Sequence, residues 1–172
     1  MPAPVEIPRP FISSVEDSAP PEPPLGGYVV LLSIFASAAG TFAWRFAASG
    51  RDLPERVAPA DFALLTVAAH KLARVISHDR VLRPVRAPFT ELQADAGPGE
   101  VSERPRPGTR GLRHALGDLL VCPFCLGMWT TTALFAGLLR WPRATRWGAS
   151  ILASFFGTEL LQVVYRRVVD DL

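Results

Sequence analysis

The sequence predicts an all-α protein, a bundle of four transmembrane helices, and three observations carry that prediction. Charge is nearly absent from long stretches: Leu25–Trp44 has no ionisable group except the phenol of Tyr28, and Trp147–Leu161 has only Glu159. Leu126–Leu139 is a further run without a charge. Apolar stretches of about 20 residues match the hydrocarbon thickness of a bilayer, whereas helices of a soluble domain need a polar face. The third observation is that arginine and tryptophan gather where these runs end, as at Trp44-Arg45 and Arg140-Trp141, the usual marks of a membrane interface.

The chain has 172 residues, 49% of them hydrophobic, with a formal net charge of +2. Met1–Pro24 holds prolines 2, 4, 8, 10, 20, 21, 23 and 24, and Arg9 stands there against Glu6, Glu16, Asp17 and Glu22. Proline removes donors and fixes φ, so an extended, disordered acidic tail is expected over 1–24, with the membrane helical domain over 25–172. The tail lacks the basic residues and apolar core of a secretory signal.

Leu25–Ala48 reads as the first membrane helix. Its small residues Ser33, Ala36, Ser37, Ala39, Gly40 and Ala43 would let another helix approach closely, and Arg45 can snorkel to the interface. Gly50, Pro54 and Pro59 break the chain before the second element. In Asp61–His78, Asp61 suits an N-cap, and Phe62, Leu65, Ala69, Leu72, Ala73 and Ile76 share one face. His70, Arg74 and His78 form a polar stripe beside Lys71. Such a stripe fits a membrane helix facing the bundle interior; the alternative is three spans plus one interfacial amphipathic helix.

Asp79–Gly117 is the basic connector. Pro84 and Pro88 end any helix, and the Gly- and Pro-rich interval over 87–112 reads as a mobile basic loop. Thr109–Val121 fits a short amphipathic helix. The next membrane helix opens near Cys122 or Pro123, since proline suits a first helical turn. Arg140–Arg146 reads as a turn, and Trp147–Tyr165 as the last membrane helix. With four spans, one side receives Arg9, seven arginines of Arg80–Arg113, Arg166 and Arg167; the other receives Arg45, Arg51, Arg56, Arg140, Arg143 and Arg146. Ten against six places both termini and the basic loop in the cytoplasm. The arginine-rich segment is therefore read as an inner loop near anionic headgroups, with no nucleic-acid partner.

The blocks Lys71-Leu-Ala-Arg74-Val-Ile-Ser-His78-Asp79-Arg-Val-Leu-Arg83-Pro84-Val-Arg86-Ala-Pro-Phe89 and Leu119-Leu-Val-Cys122-Pro-Phe-Cys125-Leu-Gly127-Met-Trp129 resemble the bacterial DUF1360 family. That family comprises small membrane proteins, some labelled as sporulation proteins. The resemblance covers roughly Phe62–Val164 and implies three core membrane helices beginning with the second element; it implies no reaction. Lys71 stands where an arginine is usual, which puts a fork-shaped anion contact there in doubt.

Cys122-Pro-Phe-Cys125 at a helix start has the form of a dithiol site, or of half a zinc or iron site that would need completing ligands from His78, Asp79, His114 or Asp118. A homodimer could also bring four thiolates together. Against these stands the plain packing of buried thiols, and a cytoplasmic location is reducing. No cofactor is expected, Zn or Fe at Cys122 and Cys125 being the alternative. Lys71 and Glu159 each lie eleven or twelve residues into their helices, about 17 Å along the axis. Unpaired charge at that depth is costly, so Glu159 is expected to meet Lys71, Arg74 or His70. Asp79, Arg83, Pro84 and Arg86 form a juxtamembrane clasp, with Asp79 expected to pair with Arg74, Arg83 or Arg113, and Gly127 and Trp129 are expected in helix packing. No phosphate-cradling glycine loop, Gly-x-Ser-x-Gly or His-Glu-x-x-His motif is present. The expected function is that of a non-enzymatic envelope or sporulation-associated protein of the bacterial cytoplasmic membrane. It would act through lipids, a protein partner or a second copy. The alternative is a membrane-anchored thiol or metal site.

Overall fold

The structure, a computed structural model, describes residues 23–170, so the expected tail lies almost wholly outside it. Within the described residues, five helices and a one-turn helix surround one hairpin: α1 Leu25–Ala48, α2 Pro59–His78, α3 Arg83–Arg86, β1 Thr90–Gly97, β2 Glu100–Pro105, α4 Gly111–Val121, α5 Pro123–Arg140 and α6 Pro142–Asp170. By length and hydropathy, α1 and α6 can each cross a membrane, and α4 with α5 makes a third crossing if they form one span bent by 85°. Helix α2 does not reach that hydropathy; Asp61, His70, Lys71 and Arg74 lower its average. Leu32, Ile151, Leu161 and Val164 stand exposed along α1 and α6, an arrangement suited to lipid surroundings.

Helix α2 is the centre of the bundle and packs chiefly against α5 and α6. Leu65 and Ala68 of α2 meet Ala149 of α6, with Leu134, Phe135, Leu138 and Leu152 packed around them. The two buried alanines let the helix axes come close. Where lipid surrounds helices, dispersion from such close packing, rather than release of water, drives association. The α2–α6 contacts run in one direction: Asp61 bonds Arg146 at one end, and Lys71 bonds Glu159 further along. The two helices are therefore parallel. Helix α5 runs the opposite way, and Thr130 Oγ1 ties it to α2 at 3.2 Å from Ala69 O.

Several boundaries differ from expectation for local reasons. Asp61 is not the N-cap of α2; Ala58 is, and Asp61 instead receives Arg146 Nε and Nη2 at 2.8 and 2.7 Å. The expected turn Arg140–Arg146 shrinks to Trp141 alone, because Pro142 opens α6 directly. Pro84 does not stop a helix but lies in the first turn of α3, where its missing donor costs nothing.

The all-α expectation is corrected by the hairpin. Where an irregular basic loop is expected, Thr90–Gly97 and Glu100–Pro105 pair antiparallel, from Thr90↔Pro105 to Gly97↔Glu100. The turn Gly97-Pro98-Gly99 needs φ of +129° and +78° at its glycines, angles that side-chain-bearing residues rarely adopt. Val101 and Glu103 alternate on the buried face of β2, which lies on α4 and the end of α2. A Cβ on Gly117 would come within 2.8 Å of Phe89 O, so α4 reaches the hairpin base only because that residue is glycine.

Candidate functional site

The hairpin end of the bundle gathers the charged side chains of the central blocks. Helix α2 ends at His78, and the short turn that follows returns Arg86 beneath it. Arg86 and Glu103 are both 1% exposed at the side chain, with Nε 2.5 Å from Oε2. Arg86 also donates to Ile76 O at 2.8 Å and to Asp79 O at 2.9 Å. A buried charge is tolerated only when paired and hydrogen-bonded, and this guanidinium uses its planar fork to satisfy both demands. The second oxygen of Glu103 has no hydrogen-bond partner among the described residues; Arg83 Nε is 3.5 Å away. Arg74 holds Glu100 through two bonds of 2.7 and 2.6 Å, and Arg80 pairs with Asp95. Three acids of the hairpin thus meet four arginines of the adjoining segment.

Glu103, Glu100 and Asp95 were not among the residues the sequence singled out. Their signal was the glycine-proline-glycine turn, with Val101 and Glu103 two apart behind it. Asp79 behaves otherwise than expected. Its carboxylate accepts from Val81 N at 2.8 Å rather than from an arginine, and its carbonyl serves Arg86. Arg113 binds Pro88 O.

Deeper in the bundle, Lys71 Nζ lies 2.5 Å from Glu159 Oε1; the lysine side chain is 3% exposed and the glutamate 40%. The ammonium also sits 4.0 Å from the centre of the Phe155 ring, a favourable cation–π placement. Arg74 turns to the hairpin instead, and His70 stands edge-on to Phe156. Lysine suffices here because a single point charge, not a fork, is required.

The residues proposed as thiol or metal donors are not assembled. Among the described residues no group of three or more His, Cys, Asp or Glu side chains is placed to hold a metal ion. Cys122 caps α5, its Sγ accepting from Cys125 N at 3.2 Å. His78 bonds Ser77 Oγ at 2.6 Å. His114 lies 3.2 Å from Thr109 Oγ1 and 3.8 Å from Asp118 Oδ2. Asp118 accepts from the Tyr28 hydroxyl at 2.7 Å. Among the described residues, nothing completes a zinc or iron site at the two cysteines. Of the packing pair, Trp129 meets Phe35 edge-on at 5.0 Å. Gly127 faces open space, and the close approach falls instead on Gly27, where a Cβ would lie 2.5 Å from Gly111 O.

This arrangement of charges falls inside a recognised unit. Residues 64–165 match a family described as "Protein of unknown function (DUF1360)". The chain belongs to that family. It is also 30% identical over 91 residues, 52% of this chain and 77% of the relative, to a protein named "Sporulation protein YjcA" from Bacillus subtilis (strain 168). No solved structure matches. The family region includes the Arg86–Glu103 and Lys71–Glu159 pairs and both cysteines, but it leaves out α1.

Proposed function

We propose that this DUF1360 protein is a non-enzymatic, sporulation-associated component of the bacterial cytoplasmic membrane. In this reading it presents a rigid charged hairpin at the membrane surface to a protein or lipid partner. The observation that carries the reading is the buried Arg86–Glu103 pair, which clamps the hairpin to the end of α2. A surface held in this way needs little ordering when a partner arrives, and pre-organisation of that kind raises affinity. The link to sporulation comes from the name of the Bacillus relative.

Four crossings, by α1, α2, α5 and α6, accompany this proposal. Support comes from α2, which runs beside α6 from Asp61 to Lys71 and beside α5 at Ala69. A helix so enclosed shares the depth of its neighbours, and its lysine is acceptable there because Glu159 neutralises it. With four crossings the hairpin, both termini and the arginines of Arg80–Arg113 fall on one side, the cytoplasmic one by the bias of basic residues.

Photo-crosslinking from exposed hairpin positions Leu92 and Arg104 in native membranes tests the function. A discrete protein or lipid adduct that disappears in an Arg86→Met variant, where the hairpin loosens, is the expected result. No adduct from any exposed hairpin position would refute it.

A further inference from the structure

The other end of the molecule holds a feature that the hairpin does not explain. Helix α1 is fastened to the bundle near its start, by Gly27 against α4, by Tyr28 on Asp118 and by Phe35 on Trp129. Beyond that ring contact, α1 and α5 are separated by a groove of about 470 Å³ whose walls include Phe35, Ala38, Ala39, Phe42, Trp129 and Ala136. The groove is almost wholly apolar and open on its flank. It continues past Phe42 and Ala136 into a second cavity of about 610 Å³, and here the lining changes to Arg45, Arg51, Arg140, Ser49 and Trp141.

Charge decides what fits this space. Among the described residues no acidic side chain lines the polar cavity, and Arg45, Arg51 and Arg140 make no ion pair. Asp52 borders the adjoining space beside Arg51, leaving three cations against one anion. The Arg140 guanidinium lies 4.9 Å from the Trp141 ring centre, which holds it at the level where tryptophan favours the headgroup region. An occupant must therefore be apolar along the length of α1 from Phe35 to Phe42 and anionic beyond it.

We infer that the α1–α5 groove binds one anionic phospholipid, with an acyl chain between Phe35 and Ala136 and the phosphate among Arg45, Arg51 and Arg140. The site is distinct from the hairpin and lies at the opposite end of the helices. The α1 wall of the groove lies outside the family-matched region, and the α5 wall lies within it. Guanidinium groups suit the phosphate because their paired donors match its oxygens.

The test uses the full-length protein in detergent, delipidated and offered phosphatidylglycerol or phosphatidylcholine of equal chain length, with retained lipid counted by native mass spectrometry. One basic side chain near a membrane surface gives about fivefold in affinity for anionic lipid. A preference of at least about tenfold for phosphatidylglycerol is therefore expected. Changing Arg45, Arg51 and Arg140 together to Gln should bring the ratio close to one, while Ala136→Phe, which fills the groove, should lower retention of both lipids. Neutralising Arg80 and Arg104 on the hairpin should leave the preference in place. Equal retention by the unaltered chain, a preference that survives the triple change, or one abolished from the hairpin would each overturn the inference. A photoactivatable phosphatidylglycerol with its reactive group on the acyl chain gives a second reading on the unaltered protein. Adducts within Phe35–Phe42 and Trp129–Ala136 support the site, and adducts confined to other segments overturn it.

Discussion

Replacing Arg86 by methionine tests the clamp between hairpin and bundle directly. The change removes the cation facing Glu103 and leaves that carboxylate buried, with Arg83 at 3.5 Å as its remaining basic neighbour. It also strips Ile76 O and Asp79 O of their guanidinium donors. Removing one partner from a buried ion pair costs about 3–5 kcal/mol. At 1.36 kcal/mol per factor of ten, local opening of the hairpin rises by about 150-fold to about 5,000-fold. Hydrogen–deuterium exchange reads this at two amides, Arg80 N–H on Gly99 O and Arg106 N–H on Phe89 O, each at 2.9 Å. Their protection reports opening of the hairpin rather than of the helices. The double change Arg86→Met with Glu103→Leu should recover most of the protection, because two apolar side chains of similar volume replace the pair without stranding a charge. The cycle separates the cost of an orphaned carboxylate from the net worth of the pair. Exchange in Arg86→Met within threefold of the unaltered chain would show that the pair does not hold the hairpin, and the reasoning would fail.

Other outcomes follow from the same structure. Glu159→Leu should destabilise the protein by about 3 kcal/mol or more in detergent unfolding, since it strands a lysine that is 3% exposed; the double change Lys71→Met with Glu159→Leu should recover most of that loss. Gly27→Ala should lower stability by about 1–3 kcal/mol, as its Cβ would meet backbone at 2.5 Å, whereas Gly127→Ala, facing open space, should stay within about 0.5 kcal/mol on the same thermal melt. Metal analysis of purified protein should find far less than one zinc or iron per chain, unchanged by Cys122→Ser with Cys125→Ser; a stoichiometric metal lost with the cysteines would refute this and make the pair a metal site.

The parts of this fold that can be read from sequence are those whose signal is local. Leu25–Trp44 of α1 and Trp147–Leu161 of α6 announce themselves by the near-absence of charge, and Pro123 marks the start of α5. The hairpin is hidden because it lacks a hydrophobic period: β1 is exposed at every position after Thr90, and only Val101 and Glu103 of β2 turn inward. A buried glutamate where an apolar residue would normally alternate looks like loop composition. The Lys71–Glu159 contact is open to counting turns from Ala60 and Trp147, where the apolar runs begin, since α2 and α6 run the same way. The Asp61–Arg146 contact is not, because Arg146 reads as part of a turn until Pro142 is seen to begin the helix. Arg86 and Glu103 meet only once β2 has folded back beneath α2, and no spacing along the chain encodes that return.

The ion pair between α2 and α6 also constrains how the chain is made. Lys71 leaves the ribosome 88 residues ahead of Glu159, roughly 4–18 s earlier at ordinary synthesis rates. Throughout that interval the lysine-bearing helix has no counter-charge, so its release into lipid is unfavourable. With α2 as one of the four proposed crossings, that helix would wait at the insertion machinery, or at the membrane surface, until the final one arrives to accompany it inward.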